Sequence, residues 1–485
     1  MSAQGGASGG SGWGWYHARV SAYYVDAQGG RDRNAGRTAD RAWKTLRRAR
    51  RQALAPGDTL YLHRGRTWSE PLRLHGSGRR GLPITVKDYG DGPRPRIAVR
   101  GVTAVANDGP VSWWRIARLD VCGAVPRDPH ELGGGPQGGI VLSQSTRSDS
   151  LLIEDCVVHD VAGPGIALWA GQSPDTVFAD WTVADCEVYH AGTGITCGGP
   201  WPPGEDPWRF HQNFAVRDCR VHAIGTDGIV LSHCRGGVIE GCTAWRTGVG
   251  RTKRTPVGIW YFQALRCVIQ YCESFDNHCA GGHADGGGFD VDGGAVDCTM
   301  QYNYSHDNDG AGYLICSYDP LNAPTSGCVT RYNLSVNDGR AHDYPAILYW
   351  QAVNCPTYNN TCITRVSSPL KFTSETWGHL IANNLFIVDG KADIPLVKSK
   401  FALDRNEFRN NLYWRTGGRA RFEVQDRTRL DLRGFTAAVG GKGDRVADPR
   451  LTALAGREMA PRPGSPVNRT RPWLGHLGAG LGIGK

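Results

Sequence analysis

The sequence predicts an all-β protein folded as a parallel β-helix of about ten to twelve coils, with a helix capping its N-terminal end. Three observations predict this fold. One Cys or Asn recurs once per repeat through ten repeats, each repeat contains short apolar alternations without helical periodicity, and the spacing of leucine-rich repeats is absent. Repeats of this length cannot bury their apolar faces alone, so they are expected to stack into a solenoid.

The recurrent residue marks one position in each coil. It is Cys in the first five repeats and Asn in the next five: Cys156, Cys186, Cys219, Cys242, Cys272, Asn303, Asn333, Asn360, Asn384 and Asn411. We expect the Asn amides to stack at an inside turn, with Cys filling the same site as a small buried residue. Most of the 15 cysteines should then be buried free thiols, and Cys272 with Cys279 is one local disulfide alternative.

Apolar alternation predicts which strand side chains face outward. Segments 165–169, 194–198, 228–232, 258–262, 288–292 and 369–373 have apolar second and fourth residues in nearly every case. Strand side chains alternate with period two, so these residues should point inward and the third and fifth outward. The outer face should therefore carry Trp260, Phe262, Asp290, Asp292 and Lys371.

The two ends of the chain lose the repeat. The predicted organisation is a flexible tail over 1–18, an N-terminal cap and first coils over 19–100, the β-helix with a catalytic face over 101–440, and a C-terminal capping segment over 441–485. Residues 39–54 predict a basic amphipathic helix with Trp43, Leu46 and Leu54 on its apolar side. Such a helix would cover the unpaired strand edges of the first coil.

Composition narrows the classes of partner. The formal net charge is +9, from 55 Lys and Arg against 46 Asp and Glu, which favours attraction to an acidic polymer. No basic run carries interleaved aromatics, which argues against nucleic acid. No apolar stretch is long enough to span a membrane. The start of the chain lacks a signal-peptide pattern, so a secreted or periplasmic location is inferred from function alone.

One stretch near the middle of the chain concentrates acidic residues. Asp290 and Asp292 should share one outer strand face, about 6.5–7 Å apart. Asp285 lies just before that strand, and Asp307 with Asp309 lies in what we take as the equivalent turn of the next coil. Five carboxylates crowded together would raise some pKa values or recruit a cation. The alternative is that these aspartates only form Gly-rich turns or hold structural calcium.

Other residues near this acidic patch are candidate sugar contacts. Two basic residues lie in an insertion one coil earlier, histidines flank the aspartates, and a histidine and a lysine follow on later coils. The outward aromatics either stack on sugar rings or pack under loops. The candidates are Lys253, Arg254, Trp260, Phe262, His283, His306, His342 and Lys371.

The two ends of the sequence resemble a known class. The opening YYVDAQGGRDRNAGRTADRAWKTL and PGDTLYLHRG, with DPRL (448–451) and PGSPVN (463–468) near the end, is similar to secreted right-handed parallel β-helix proteins of the pectate-lyase-like class. The resemblance implies a right-handed winding. That class includes polysaccharide lyases, glycoside hydrolases, epimerases and phage tailspikes, so the fold alone assigns no activity.

The order of polar residues resembles polygalacturonases. Asp285 ends HAD, Asp307 and Asp309 lie in HDND, His342 lies in GRAHDYP and Lys371 in SPLKF, at intervals of roughly one coil. The resemblance implies hydrolysis by these carboxylates. His342 lacks flanking glycines and Lys371 lacks the Arg two residues earlier, so pectin is not implied as the substrate.

The same stretch also resembles calcium-dependent pectate lyases, through ADGGGFD (284–290) and DNDG (307–310). That resemblance implies calcium held by Asp285, Asp307 and Asp309, with Lys371 as the base. Oxygen-rich clusters suit calcium.

The leading hypothesis is a glycoside hydrolase without a cofactor that cleaves an acidic polysaccharide or oligosaccharide. One of Asp285, Asp307 and Asp309 would be the general acid and another would activate water. Asp290 and Asp292 would either share this acid–base work or hold sugar hydroxyls. The alternatives are the calcium-dependent lyase and a glycan-binding solenoid without catalysis.

Overall fold

The structure is a computed structural model that describes residues 20–123, 128, 132, 137–144, 146–170, 177–198, 211–251, 255–282, 284–318, 324–390, 393–425 and 427–469. Short parallel strands wind into a β-solenoid of about 11 turns, and only 4% of the chain is helical. The predicted all-β parallel β-helix is confirmed.

Each coil contributes strands to three columns, in which successive coils pair in parallel. The strands of the first column are Ala22–Val25, Thr59–His63, Ile84–Tyr89, Trp114–Ala117, Ser148–Glu154, Phe178–Ala184, Ala215–Arg217, Val238–Glu240, Val268–Gln270, Thr299–Gln301, Val329–Arg331, Thr357–Tyr358, Leu380–Ala382 and Glu407–Arg409. Two short strands, His211–Gln212 and Cys234–Arg235, pair beside this column.

The second column follows the first after a tight turn in each coil. Its strands are Thr67–Trp68, Arg96–Ala98, Asp120–Cys122, Val157–Ala170, Glu187–Gly198, Arg220–Ile224, Thr243–Trp245, Glu273–Phe275, Tyr304–His306, Leu334–Val336, Thr361–Thr364, Leu385–Val388, Leu412–Arg415 and Arg445–Val446. Val157–Ala170 and Glu187–Gly198 are long enough to continue into the third column.

The third column carries the site described below. Its remaining strands are Leu72–Leu74, Val105–Asn107, Ile140–Gln144, Ile229–Ser232, Val257–Phe262, Gly287–Asp292, Tyr313–Cys316, Ile347–Trp350, Leu370–Phe372, Val397–Ser399 and Phe422–Val424. Arg427–Leu430 closes this column as an antiparallel partner of Phe422–Val424.

The core fills the inside of the solenoid with the side chains that alternation places there. In the third column, strand register stacks one buried side chain of each coil on the next: Ile259, Phe289, Tyr313, Ile347 and Leu370. Such stacking lets each repeat bury the apolar face that it cannot bury alone.

A buried amide ladder occupies the predicted Asn position. The Nδ2 group of each Asn donates to the Oδ1 atom of the next at 3.0–3.1 Å, and the backbone N–H donates to the same oxygen. The ladder ends at an acidic side chain, which needs only to accept: Asn411 donates to Asp444. The members are Asn303, Asn333, Asn360, Asn384, Asn411 and Asp444.

The cysteines are thiols, as the leading interpretation predicted. All 15 are free, and every one except Cys279 is buried. Cys272 lies in the core whereas Cys279 is half-buried in an outer loop, so the alternative disulfide between them is absent. Cysteine therefore fills the ladder site in the early coils as a small buried residue.

The N-terminal helix is present but shorter than predicted. Residues 39–54 contain a 3₁₀ turn, Ala39–Arg41, and the helix α1, Leu46–Arg50. Trp43 lies between them in an extended conformation, because its backbone pairs with Tyr24 and Asp26. The hydroxyl of Thr45 then caps α1 by accepting from the N–H of Arg48.

The C-terminal end differs from the predicted cap. The helix α2, Leu432–Val439, packs Phe435 against Phe408 and Phe422 in the last coils, so it covers the open end. The segment after residue 441 instead runs along the outside of the second column. There Met459 is buried against the outer apolar residues, beside a 3₁₀ turn, Pro466–Arg469. In the described part of the chain, no helix has the length and apolarity to cross a membrane.

Candidate active site

The outer face of the third column places polar side chains in straight rows along the solenoid. Strand register aligns Trp260, Asp290, Leu314, Leu348, Lys371 and Lys398 in one row. Phe262 and Asp292 align in the neighbouring row. The predicted outward orientation of Asp290, Asp292, Trp260, Phe262 and Lys371 therefore agrees with the structure.

Loops from neighbouring coils build a cavity of about 740 Å³ over these rows. Its lining is acidic at one end, aromatic and aliphatic in the middle, and basic at the other end. The side chains that matter below are Asp285, Asp290, Asp292, Leu314, Tyr318, His342, Asp343, Tyr344, Leu348, Trp350 and Lys371.

Asp285 projects into the cavity from the loop that precedes Gly287–Asp292. Its backbone is in the left-handed region, at φ 71°, a conformation that costs free energy and is often found at functional sites. The hydroxyl of Tyr344 donates to its Oδ1 atom at 3.2 Å. Burial, followed by the negative charge of Asp292, raises the pKa of Asp285 to about 6, and the Tyr344 hydrogen bond only partly opposes this rise.

Of the three carboxylates, Asp292 accepts the shortest hydrogen bonds from protein donors. The Tyr318 hydroxyl donates to its Oδ2 atom at 2.6 Å, and the N–H of Gly293 donates to its Oδ1 atom at 2.7 Å. Burial raises the pKa of Asp292, whereas these two donors favour its ionised form. Asp292 is therefore the group that is best prepared to carry a negative charge.

Asp290 lies close enough to the other two carboxylates to feel their charges, and it is almost fully buried. Its Oδ1 atom has no hydrogen-bond partner among the described residues. Burial, then the charges of Asp292 and Asp285, raise its pKa well above the ordinary range. The surroundings therefore favour the protonated form of Asp290, whereas Asp292 has donors that favour its ionised form.

The expectation that five carboxylates share one patch is wrong for Asp307 and Asp309, which do not line the cavity. Asp307 accepts from Asn337 and pairs with His306, and Asp309 pairs with His278 and Arg340. Burial alone would raise the pKa of each, but these partners outweigh burial and lower both pKa values.

Loop length explains why these two aspartates are separated from the cavity. The connections before Gly287–Asp292 and Ile347–Trp350 contain eleven residues (276–286) and ten residues (337–346), whereas the connection between them contains six (307–312). The long loops project and form the cavity wall. The short turn holds Asp309 against the solenoid, between His278 and Arg340 of the long loops.

The predicted calcium set of Asp285, Asp307 and Asp309 is not assembled. Among the described residues, the only trio whose ligand atoms all approach within 4.8 Å is Asp120, Cys122 and His159. Arg96 contacts both Cys122 and His159 there, which opposes a cation. Of the carboxylates named by the lyase resemblance, Asp285 lines the cavity, whereas Asp307 and Asp309 lie outside it and pair with neighbouring basic side chains.

The remaining predicted contacts fall into four groups. His342 and Lys371 line the cavity. Trp260 and Phe262 face outward one coil before the carboxylates but lie outside the cavity lining, and Phe262 packs beside Tyr318. His306 pairs with Glu273 and Asp307 on another face. Lys253, Arg254 and His283 lie outside the described residues.

Sequence reasoning missed the two tyrosines that tune the carboxylates. Tyr318 lies just after the strand Tyr313–Cys316, and Tyr344 lies two residues after the predicted His342. The signal for Tyr344 was its place in the same long loop as His342. No periodicity indicated Tyr318, because its position follows the end of the regular strand.

Comparisons with known proteins agree with this architecture. Residues 138–329 match the family described as a right handed beta helix region, which confirms the winding that the sequence resemblance implied. The chain is also similar to a lacto-N-biosidase of Bifidobacterium longum subsp. longum, at 25% identity over 476 residues, covering 75% of this chain and 28% of the relative. The chain thus spans little more than a quarter of the length of this curated relative.

Among solved structures, the chain is similar to a GH136 lacto-N-biosidase of Eubacterium ramulus. The TM-score is 0.58 at 18% identity, and the match covers 88% of this chain and 68% of that chain. The selenomethionine derivative of the same protein gives a TM-score of 0.59 at 19% identity, covering 88% of this chain and 67% of that one. These structural likenesses show a shared fold.

Proposed function

We propose that the protein is a glycoside hydrolase that cleaves an oligosaccharide or polysaccharide in the cavity of the third column. The observation that carries this proposal is the convergence of Asp285, Asp290 and Asp292, all with raised pKa values, in one cavity. A carboxyl group with a raised pKa, such as Asp285 at about 6, beside a second carboxylate is what acid–base cleavage of a glycosidic bond requires. The similarity to a lacto-N-biosidase supports the same class of reaction.

The proposed roles follow from the environment of each carboxyl group. Asp285, with a pKa of about 6, keeps its proton at mildly acidic pH and donates it to the departing glycosidic oxygen. Asp292, held ionised by Tyr318 and Gly293, acts at the anomeric carbon, either directly or through water. The stereochemistry of the released sugar distinguishes these two modes. Asp290, protonated, donates a hydrogen bond to a sugar hydroxyl.

The finer parts of the proposal concern the substrate. His342 and Lys371 would contact the sugar, and Trp350, which is 37% exposed, offers an aromatic surface to a sugar ring. The lysine and the net charge of +9 favour an acidic glycan. Action on a glycan outside the cell belongs to the same proposal.

The test is a hydrolysis assay. The protein is incubated with 4-nitrophenyl lacto-N-bioside and with neutral and uronate-containing oligosaccharides, with and without EDTA. We expect release of nitrophenol or new reducing ends that EDTA does not affect. If the products are unsaturated and absorb near 235 nm, and if EDTA stops their formation, the reaction is calcium-dependent elimination and not hydrolysis. Binding of these glycans without cleavage would leave only a glycan-binding solenoid.

A further inference from the structure

A second cavity, of about 370 Å³, adjoins the aspartate cavity farther along the third column. Asp343, Lys371 and Thr373 line both cavities, so the two form one continuous groove. The second cavity adds Lys398, Lys400 and the half-buried Phe401. We propose that this cavity binds an anionic substituent, a carboxylate or a sulfate, of the glycan whose cleaved bond lies over Asp285 and Asp292.

The inference rests on the proposed function and specifies how the substrate is recognised. In the outer row, three coil spacings, about 14 Å, separate Asp290 from Lys371, and one further spacing reaches Lys398. Leu314 and Leu348 occupy the positions between them. An extended glycan that lies along the row would therefore cross an apolar floor before it reaches the lysines.

The second cavity has an excess of positive charge. Its described lining contains three lysines and one aspartate, a net of two positive charges. The Nζ atoms of Lys371 and Lys398 both donate to the Oδ2 atom of Asp343, at 2.9 and 2.7 Å. Among the described residues, Lys400 has no carboxylate within ion-pair distance. Asp343 therefore orients Lys371 and Lys398, but its single negative charge does not neutralise the three lysines of the cavity.

The backbone around Asp343 indicates that its position is imposed by the fold. His342 and Asp343 both adopt positive φ, 58° and 57°, which is costly for two consecutive residues other than glycine. This conformation directs Asp343 towards the lysines while His342 lies at the aspartate cavity. The side chains of Lys371 and Lys398 line the cavity and are 17% and 27% exposed, so a ligand in the cavity can reach them. Each ammonium has donors to spare for a ligand.

The experiment measures binding by calorimetry with three hexasaccharide probes. Oligogalacturonate carries carboxylates, κ-carrageenan hexasaccharide carries sulfates only, and cellohexaose is neutral. The wild type is compared with Lys398→Ala, Lys400→Ala and Asp343→Asn. Lys442→Ala is the matched control, because Lys442 is exposed beside Arg409 and lines neither cavity.

We expect the wild type to bind at least one anionic probe, more weakly at high salt, and to bind cellohexaose much less. Each lysine variant should weaken anionic binding about ten- to a hundredfold, since a charged hydrogen bond is lost. Asp343→Asn should strengthen it, and Lys442→Ala should leave it unchanged. The preferred anionic probe then distinguishes carboxylate from sulfate.

Two results would overturn this inference. The wild type binds neither anionic probe, or it binds one and the lysine variants bind it equally well. Its failure is distinguishable from failure of the proposed function, because binding and hydrolysis are measured separately. Hydrolysis of an anionic glycan at a rate and KM that Lys398→Ala and Lys400→Ala do not alter would sink the anionic site alone. Lysine-dependent binding without hydrolysis of any probe would contradict the hydrolase and keep the site.

Discussion

Asp292 and Asp309 are both aspartates of the same acidic stretch, one coil apart, yet the fold gives them opposite properties. Asp292 lines a cavity with two other carboxylates, and burial raises its pKa. Asp309 lies in a short turn between His278 and Arg340, which lower its pKa. The comparison shows that a cluster of acidic residues in the sequence is not enough to form an active site. Loop length decides which carboxylates are left without a cation.

The largest expected effect is a loss of activity when a cavity aspartate is replaced, and not when Asp309 is replaced. Asp292→Asn and Asp285→Asn should each lower kcat/KM about 10²- to 10⁴-fold, the usual contribution of acid–base groups. Asp309→Asn should stay within a few-fold of the wild type, because its side chain lies outside the cavity. Initial rates on the best glycan substrate, with circular dichroism to confirm folding, make the comparison. Equal losses in all three variants would erase the distinction.

Stability should change in opposite directions at the two regions. The pKa of Asp285 is about 6 when folded and near 4 when unfolded, so the native state binds the proton more tightly. Stability from this group is therefore lost as pH rises from about 4 to 6. Asp285→Asn should raise the free energy of unfolding at pH 7 by about 1–3 kcal/mol and change little at pH 4.

Asp309 has the reverse sign and provides the control. Its folded pKa is lowered, so its stabilisation is present above the unfolded pKa and is lost as pH falls through the folded value. Asp309→Asn should thus lower the free energy of unfolding at pH 7, and less so in acid. Denaturant titrations at both pH values check the pair. Destabilisation by Asp285→Asn at pH 7 would contradict the assigned electrostatics.

A smaller effect should come from the donor that keeps Asp292 ionised. Tyr318→Phe removes a 2.6 Å hydrogen bond, so the pKa of Asp292 should rise further and kcat/KM should fall about tenfold. The acidic limb of the pH–rate profile should move to higher pH. Tyr271→Phe is the matched control, because Tyr271 is 41% exposed and stacks on Tyr302 outside the cavity. An unchanged acidic limb in Tyr318→Phe would remove Asp292 from its role.

The smallest effect concerns Tyr344, which donates to Asp285 and opposes the rise of its pKa. Tyr344→Phe should raise the pKa of Asp285 further, so that the basic limb of the pH–rate profile moves to higher pH. The shift should be modest, since burial remains the main cause of the raised pKa. A basic limb that moves to lower pH would contradict the assignment.

Much of the fold could be predicted from the sequence, because the repeat encodes it directly. The Cys/Asn position gives the coil length, and period-two alternation correctly places Phe289 inside and Asp290 outside. These are local rules that each coil repeats. The helical periodicity of residues 39–54 predicts a longer N-terminal helix than the structure has. It does not reveal that the backbone of Trp43 pairs with Tyr24 and Asp26.

The site could be predicted only in part, because irregular loops complete it. Asp290 and Asp292 followed from strand alternation, and their outward placement agrees with the structure. Asp309 was placed with them because both turns precede strands, but the six-residue connection 307–312 keeps it below the cavity wall. Tyr318 and Tyr344 come from other coils, and no spacing rule relates them to the aspartates that they contact.

The pH dependence of kcat/KM for the wild type, Asp285→Asn and Asp309→Asn tests the central claim most directly. We predict that wild-type activity falls as pH rises through about 6, because Asp285 then loses the proton that it donates. Asp309→Asn should keep this basic limb, and the residual activity of Asp285→Asn should lack it. A limb that survives in Asp285→Asn, or disappears in Asp309→Asn, would show that the gathered carboxylates are not the acid–base groups.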